Sequence, residues 1–379
     1  MAVQEPQSGP SPHHTRRVIL ATGAALVAVA AVLVFASHLR SSASGNGARL
    51  DVIAPDFTLR DQLGRPTSLA QFRGKVVVLT FVDPECTEIC PLTTQSMVDA
   101  VHLLPPAQAA RVQLLGIDAN PAKTHVADVA AYTRAHGLTG HWRFLTGPER
   151  TLEDVWHRYN VYVDAVKGNI EHDPIVFLID GSGHERQVLF TAMRYASVGN
   201  QARTIATDVG RLLAGAEPLP APATDPGAAT DSAPRLATVQ LASFGAHTRS
   251  IGLGRAHPHL VVFFAGWLGG HTDLAHRLAA LDGYAQAARR RHWPSPVAID
   301  VRTTEASPAA ARDALAPLAA TIRTPIVEDT TGVLADSSQV EDLPWFALTT
   351  PTGDIVWHHD GWLTAAQLRA DVQTVLAGP

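Results

Sequence analysis

The sequence predicts an α/β protein with two tandem units behind a single N-terminal transmembrane helix. Three observations predict it. Apolar runs of strand length alternate with helix-patterned segments. The alternation occurs twice, on either side of a Pro/Ala-rich stretch. A run of 20 residues without charge, 18–37 (VILATGAALVAVAAVLVFAS), precedes the first unit. The chain has 379 residues, 46% hydrophobic and 17% charged, enough apolar material for two cores and too much for wholesale disorder. Lys+Arg is 30 against Asp+Glu 35, so no basic excess points to nucleic acid. Cys86 and Cys90 are the two cysteines, which excludes a disulfide-stapled scaffold and a four-cysteine zinc site.

In chain order, residues 1–17 read as a cytoplasmic tail and 18–37 as a transmembrane anchor, roughly 30 Å long at 1.5 Å per residue. Arg16 and Arg17 before it place everything after residue 40 on the extracytoplasmic side of the cell membrane, single-pass. The competing reading is a cleaved signal peptide, whose apolar core is shorter and whose cleavage site is absent here. A Gly/Ser spacer (41–48) leads into the first unit, 50–215. Its strands are 75–82 (KVVVLTFV), 111–117, 175–179 and 187–190, with helices over 90–103, 123–135 and 202–214. The 216–235 segment reads as an extended linker. The second unit, 236–379, repeats the order: strand 259–265, helix 271–287, strand 297–301, a helix capped by Ser307 with Pro308 at its first position, a hairpin over 345–359 and a last helix over 364–376. Pro317 should end or kink the helix that Ser307 starts.

Asp83-Pro84-Glu85-Cys86-Thr87-Glu88-Ile89-Cys90-Pro91 stands at the end of a buried strand. A helix beginning near Cys86 would put both sulfurs on one face, and its N-terminus would favour thiolate. Two converging thiolates suit a soft metal or a reversible disulfide. A purely structural disulfide would close a loop too short to gain much. His172, just before the strand 175–179, would add an imidazole and complete a Cys₂His set for copper, Cu(I) or Cu(II). The competing reading of this residue is a solvated histidine, one of 18.

The segments Asp56-Phe-Thr-Leu-x-Asp-x-x-Gly64, Phe72-Arg-Gly-Lys-Val-Val-Val-Leu79, Cys-x-x-x-Cys-Pro, Trp142-x-Phe-Leu-Thr-Gly147 and the isolated His before Phe-Leu-Ile-Asp180 together resemble the Sco/SenC family over about residues 50–213. The resemblance implies a thioredoxin fold and copper bound by Cys86, Cys90 and His172. It also implies a chaperone role in assembling the binuclear copper centre of cytochrome c oxidase, with subunit II or another copper apo-protein as partner. On that reading the protein is a metallochaperone rather than an enzyme. The alternative is a thiol–disulfide oxidoreductase with Cys86 and Cys90 as its catalytic pair. Pro174 stands where thioredoxins carry a cis-proline, which favours that alternative. A peroxidase is opposed by Asp83 and Glu85 beside the thiols.

Residues 236–379 resemble a thioredoxin-like module of the thiol-reductase type through Phe263-Phe-Ala-Gly-Trp267, Pro344 and the Gly353 hairpin. Leu268-Gly-Gly-His271 stands where Cys-x-x-Cys follows such a Trp, so the module has lost its redox pair. It reads as a docking or structural domain. A histidine metal site around His271, His276, His257 and His259, with His358-His359 as a further pair, is the other reading, and nothing in the sequence joins these residues.

Overall fold

The computed structural model describes residues 47–166, 169–220, 233–245 and 249–377. The first module holds β1 (Gly47–Ile53), β2 (Thr58–Asp61), β3 (Pro66–Ser68), β4 (Val76–Val82), α1 (Ile89–Leu103), β5 (Val112–Asp118), α2 (Val126–Ala135), β6 (Trp142–Thr146) and α3 (Glu149–Arg158). A hairpin of β7 (Val163–Val166) and β8 (Asn169–His172) follows, then β9 (Ile175–Ile179), β10 (His184–Phe190) and α4 (Val198–Leu213). Eight strands form one sheet in the order β1-β10-β9-β4-β5-β6-β2-β3. β4 pairs in parallel with β5 and antiparallel with β9.

The physical reason for the central strand is its two-sided burial. Val76, Val78 and Val82 join the core on one face, and Val77, Leu79 and Phe81 the core on the other. A strand covered on both faces reads as a continuous apolar run. Thr80 inside that run donates its hydroxyl to the Ile175 carbonyl at 2.7 Å, so its burial leaves no lone donor.

The second module contains β11 (Val239–Ala242), β12 (Ser250–Leu253), β13 (His259–Phe264), α5 (Leu274–Arg291), β14 (Ser295–Val301), α6 (Pro308–Thr321), β15 (Ile326–Asp329), α7 (Val333–Ser338), β16 (Trp345–Thr349), β17 (Ile355–Asp360) and α8 (Ala365–Ala377). Its five-stranded sheet runs β15-β14-β13-β16-β17. Reversed, that is the order of β10-β9-β4-β5-β6, with the same parallel and antiparallel neighbours around the central strand. Asp118 at the end of β5 and Asp300 near the end of β14 hold corresponding places, paired with Val82 and Phe264 respectively.

Two expectations are corrected. The single N-terminal transmembrane helix, and with it single-pass membrane localisation, is not upheld: among the described residues no helix is long and apolar enough to cross a membrane. The run 18–37 itself lies outside the described residues, as do most of the Gly/Ser spacer and residues 221–232 of the expected linker. The longest described helix, α5, has 18 residues but carries Arg277 and Arg289–Arg291, and it buries Leu274, Leu278 and Leu281 on its sheet side. Second, α6 continues through Pro317 to Thr321. Pro317 is exposed, so the carbonyl it deprives of a partner faces water, while Ala311, Leu315 and Leu318 pin both halves of the helix to the core. The start of the expected linker contacts the first module, at α4 and β10. Leu219 N donates to Asp208 at 2.7 Å, and Arg186 pairs with Glu217. Leu343–Pro344 is the cis peptide among the described residues; Asp173–Pro174 is trans.

Candidate functional site

The cysteine loop leaves the sheet at the C-terminal edge of β4, beside the end of its parallel neighbour β5. Open α/β sheets place ligands at this edge because loops diverge there. A chain of hydrogen bonds fixes the loop. Buried Asp118 accepts from Asn120 N at 2.9 Å; the Asn120 side chain donates to Asp83 at 2.7 Å; Asp83 accepts from Glu85 N at 2.9 Å. Cys86 N then donates to the Asp83 carbonyl at 3.1 Å, closing the turn. Lys123 pairs with Glu85 at 2.7 Å on the rim. Burial pushes Asp118 up to about 7, with Asp83 and Asp128 adding to the rise against the hydrogen bonds from Asn120 and Thr146.

Helix α1 begins at Ile89, one residue from the expected 90–103 and three residues past the Cys86 start that would have put both sulfurs on one helical face. Cys86 therefore sits in the preceding turn, half-buried, and Cys90 in the first helical turn, 1% exposed. Both are free thiols. The expectation that the helix N-terminus would favour thiolate at Cys90 does not hold. Burial pushes that thiol well up, and the neighbouring Cys86 adds to the shift. Desolvation of a charge in a dry core outweighs a terminal dipole worth about 1 kcal/mol.

His172 ends β8, and its Nε2 lies 3.3 Å from Cys90 Sγ. Its Nδ1 lies 3.2 Å from the Asp173 carbonyl. A carbonyl only accepts, so Nδ1 carries the proton and Nε2 presents its lone pair to the thiol. Burial holds the imidazole below its usual value, so it is neutral at physiological pH. A neutral imidazole whose far nitrogen is fixed by a carbonyl is the usual arrangement of a metal-ligating histidine. The donor chemistry, two thiols and an imidazole, fits a soft cation. Among the described residues, however, no set of three or more His, Cys, Asp or Glu side chains is arranged to hold a metal ion. The structure brings Cys90 and His172 into contact with Cys86 beside them, and does not preassemble a three-ligand cage.

The histidines of the second module do not converge. His271 lies beyond the end of β13, while His259 begins that strand. His358 stacks on Trp345 at 5.4 Å and His359 on Trp357 at 6.3 Å, on opposite faces of β17. Sequence reasoning missed Asn120 and Asp118, although Asp118-Ala-Asn120 at a strand end is a legible side-chain-to-backbone turn signal. It also missed Asp342, which accepts from Thr87 Oγ1 at 2.5 Å across 255 residues of sequence.

Fold and site define a thioredoxin-fold module with a thiol pair and a histidine at the ligand-binding edge of its sheet. Residues 46–210 match the SCO1/SenC family model, so the first module is similar to that family. The chain is 31% identical over 190 residues to "Protein SCO2 homolog, mitochondrial" of Bos taurus, covering 46% of this chain and 62% of the relative. It thus spans less than two thirds of that relative's length. A shorter match, 35% identical over 78 residues, is to "Peroxiredoxin Q, chloroplastic" of Sedum lineare, covering 21% of this chain and 40% of that one. Among solved structures, Bradyrhizobium japonicum ScoI with copper bound aligns at 22% identity and a TM-score of 0.35, over 43% of this chain and 100% of that one.

Proposed function

We propose that this protein is a copper chaperone that holds copper through Cys86, Cys90 and His172 and delivers it to an apo-protein. The recipient we propose is subunit II of cytochrome c oxidase, at its binuclear copper centre. The observation that carries the reading is the contact of Cys90 Sγ with the unprotonated Nε2 of His172, with Cys86 beside them. The family match of residues 46–210 supports it.

Two thiolates and an imidazole favour Cu(I) and accommodate Cu(II). Loading displaces the Cys90 proton, so affinity rises with pH. The Asp83 carboxylate beside the thiols opposes free thiolate but favours a bound cation, which biases the site toward metal rather than nucleophilic chemistry. Cys86 is half-buried and adjusts its side chain to close the set.

The test is a Cu(I) titration of the reduced chain beside His172→Ala. The expected result is a one-to-one complex that the variant weakens by about 10–100-fold or more. Unchanged affinity and coordination in His172→Ala would refute the ligand set.

One observation favours a second reading, a thiol–disulfide oxidoreductase. Cys86 is half-buried and Cys90 buried, both free, which suits an attacking and a resolving thiol. That activity needs both cysteines and not His172, so the same variant separates the readings. For the second module we propose a thioredoxin-like fold without redox chemistry, since Leu268 and His271 occupy the positions of its cysteines.

A further inference from the structure

The loop that has lost its redox pair begins with buried Trp267 and Leu268 and ends in exposed Gly269, Gly270 and His271, and the first module lies against it. Trp267 packs against His136 with ring centroids 4.3 Å apart and the rings tilted by 35°. His136 follows α2 and is 4% exposed. A Cβ on Gly270 would lie 2.4 Å from the Ala135 Cβ and 2.9 Å from its Cα, so only glycine permits this approach of the two backbones.

Two further contacts surround the cysteine loop. Asp336 of α7 accepts from the backbone N–H groups of Tyr195 at 2.7 Å and Ala196 at 3.1 Å, at the connection entering α4. Asp342 accepts from Thr87, the residue after Cys86. Between them Leu92, Tyr195 and Val198 of the first module are buried in the hydrophobic core of the second. The seam therefore combines apolar burial, an aromatic ring contact and directional hydrogen bonds, the composition of a specific interface.

We propose that the Trp267–His271 loop is a docking surface whose occupant is the first module of the same chain, and that the docked second module restrains the cysteine loop through Asp342. The side chains that redox chemistry needs at this loop are replaced by residues that allow close approach. Asp342 is a positioning residue: it holds Thr87 and through it the turn bearing Cys86. Access of reagents and partners to Cys86 then depends on the seam.

The test uses the full reduced chain without copper, so its outcome is independent of the chaperone reading. The readouts are the radius of gyration in solution and the rate of Cys86 alkylation by iodoacetamide. Gly270→Glu places a charged side chain against Ala135 and is expected to enlarge the radius and raise the alkylation rate roughly tenfold, the factor for about 1.4 kcal/mol of seam stability. Gly269→Glu is the control. A Cβ there meets only Leu274, at 3.9 Å, so the same loop carries the same charge without opening the seam. Asp342→Ala is expected to raise the alkylation rate while leaving the radius compact, and Asp342→Asn, which keeps an acceptor for Thr87, to restore the slow rate. A compact, slowly alkylated Gly270→Glu chain would overturn the docking. Equal opening by Gly269→Glu would overturn it too, since loop collapse would then explain the effect. Alkylation unaffected by Asp342→Ala would overturn the restraint.

Discussion

Asp118 should make the first module lose stability as the solution becomes more alkaline. The residue has no exposed surface, and burial lifts its carboxyl from 3.8 to about 7. Between those values the native state binds a proton that the unfolded chain has released. Stability is therefore greatest below about pH 4, falls as pH rises, and levels off above about 7. The difference between the two values, near three units at about 1.4 kcal/mol each, gives roughly 4 kcal/mol across the window. The hydrogen bonds suit the neutral acid. Thr146 Oγ1 lies 2.8 Å from Asp118 Oδ2 and 2.9 Å from the Thr124 carbonyl, and its single proton serves one of them. A protonated Asp118 donates to Thr146, which then donates to Thr124. Asp118→Asn supplies the same donor permanently and keeps an acceptor for Asn120 N. Denaturant unfolding followed from pH 5 to 8.5 should show the advantage of the variant over the parent growing by about 3 kcal/mol between pH 5 and pH 8, since about two of the three units fall inside that range. A stability difference that stays constant over that range would refute the assignment.

Two further predictions concern the second module and the seam. Asp300 and Glu305 are buried together, and neither Asp300 oxygen has a hydrogen-bond partner in the structure. Burial and the neighbouring Glu305 push Asp300 well up, so its native-state proton is lost only as pH rises through that raised value, and stability falls on the way. Asp300→Asn should flatten this part of the pH dependence; an unchanged pH profile in unfolding experiments would count against a protonated Asp300. Leu92→Ala should cost about 2–5 kcal/mol, because Leu92 is 1% exposed and its cavity would open at the junction of the two modules. A loss below about 0.5 kcal/mol would show that this junction is loose.

The membrane expectation shows where pattern reading overreached. A run of apolar residues argues for a span only on its own segment, and the described helices that follow bury one face and expose arginines on the other, as α5 does. Pro317 shows a weaker local rule losing to packing: buried Ala311, Leu315 and Leu318 hold the helix to the core on both sides of the proline.

The sequence alone determined the α/β class, the two-sided burial of β4, the cap at Ser307, the thiol pair at a strand end and the histidine before β9. Each is written in residues close together, in a continuous apolar run, a cap or a spacing of four. Tertiary structure decided the rest. It brought His172 against Cys90 across 82 residues and aimed Nε2 by a carbonyl bond to Nδ1. It raised the Cys90 thiol where a helix N-terminus alone would have lowered it, because burial is a property of the assembled core. It also carried Asp342 to the cysteine loop and Trp267 to His136. No local pattern encodes those meetings, because long-range contacts depend on where the sheet edges place their loops.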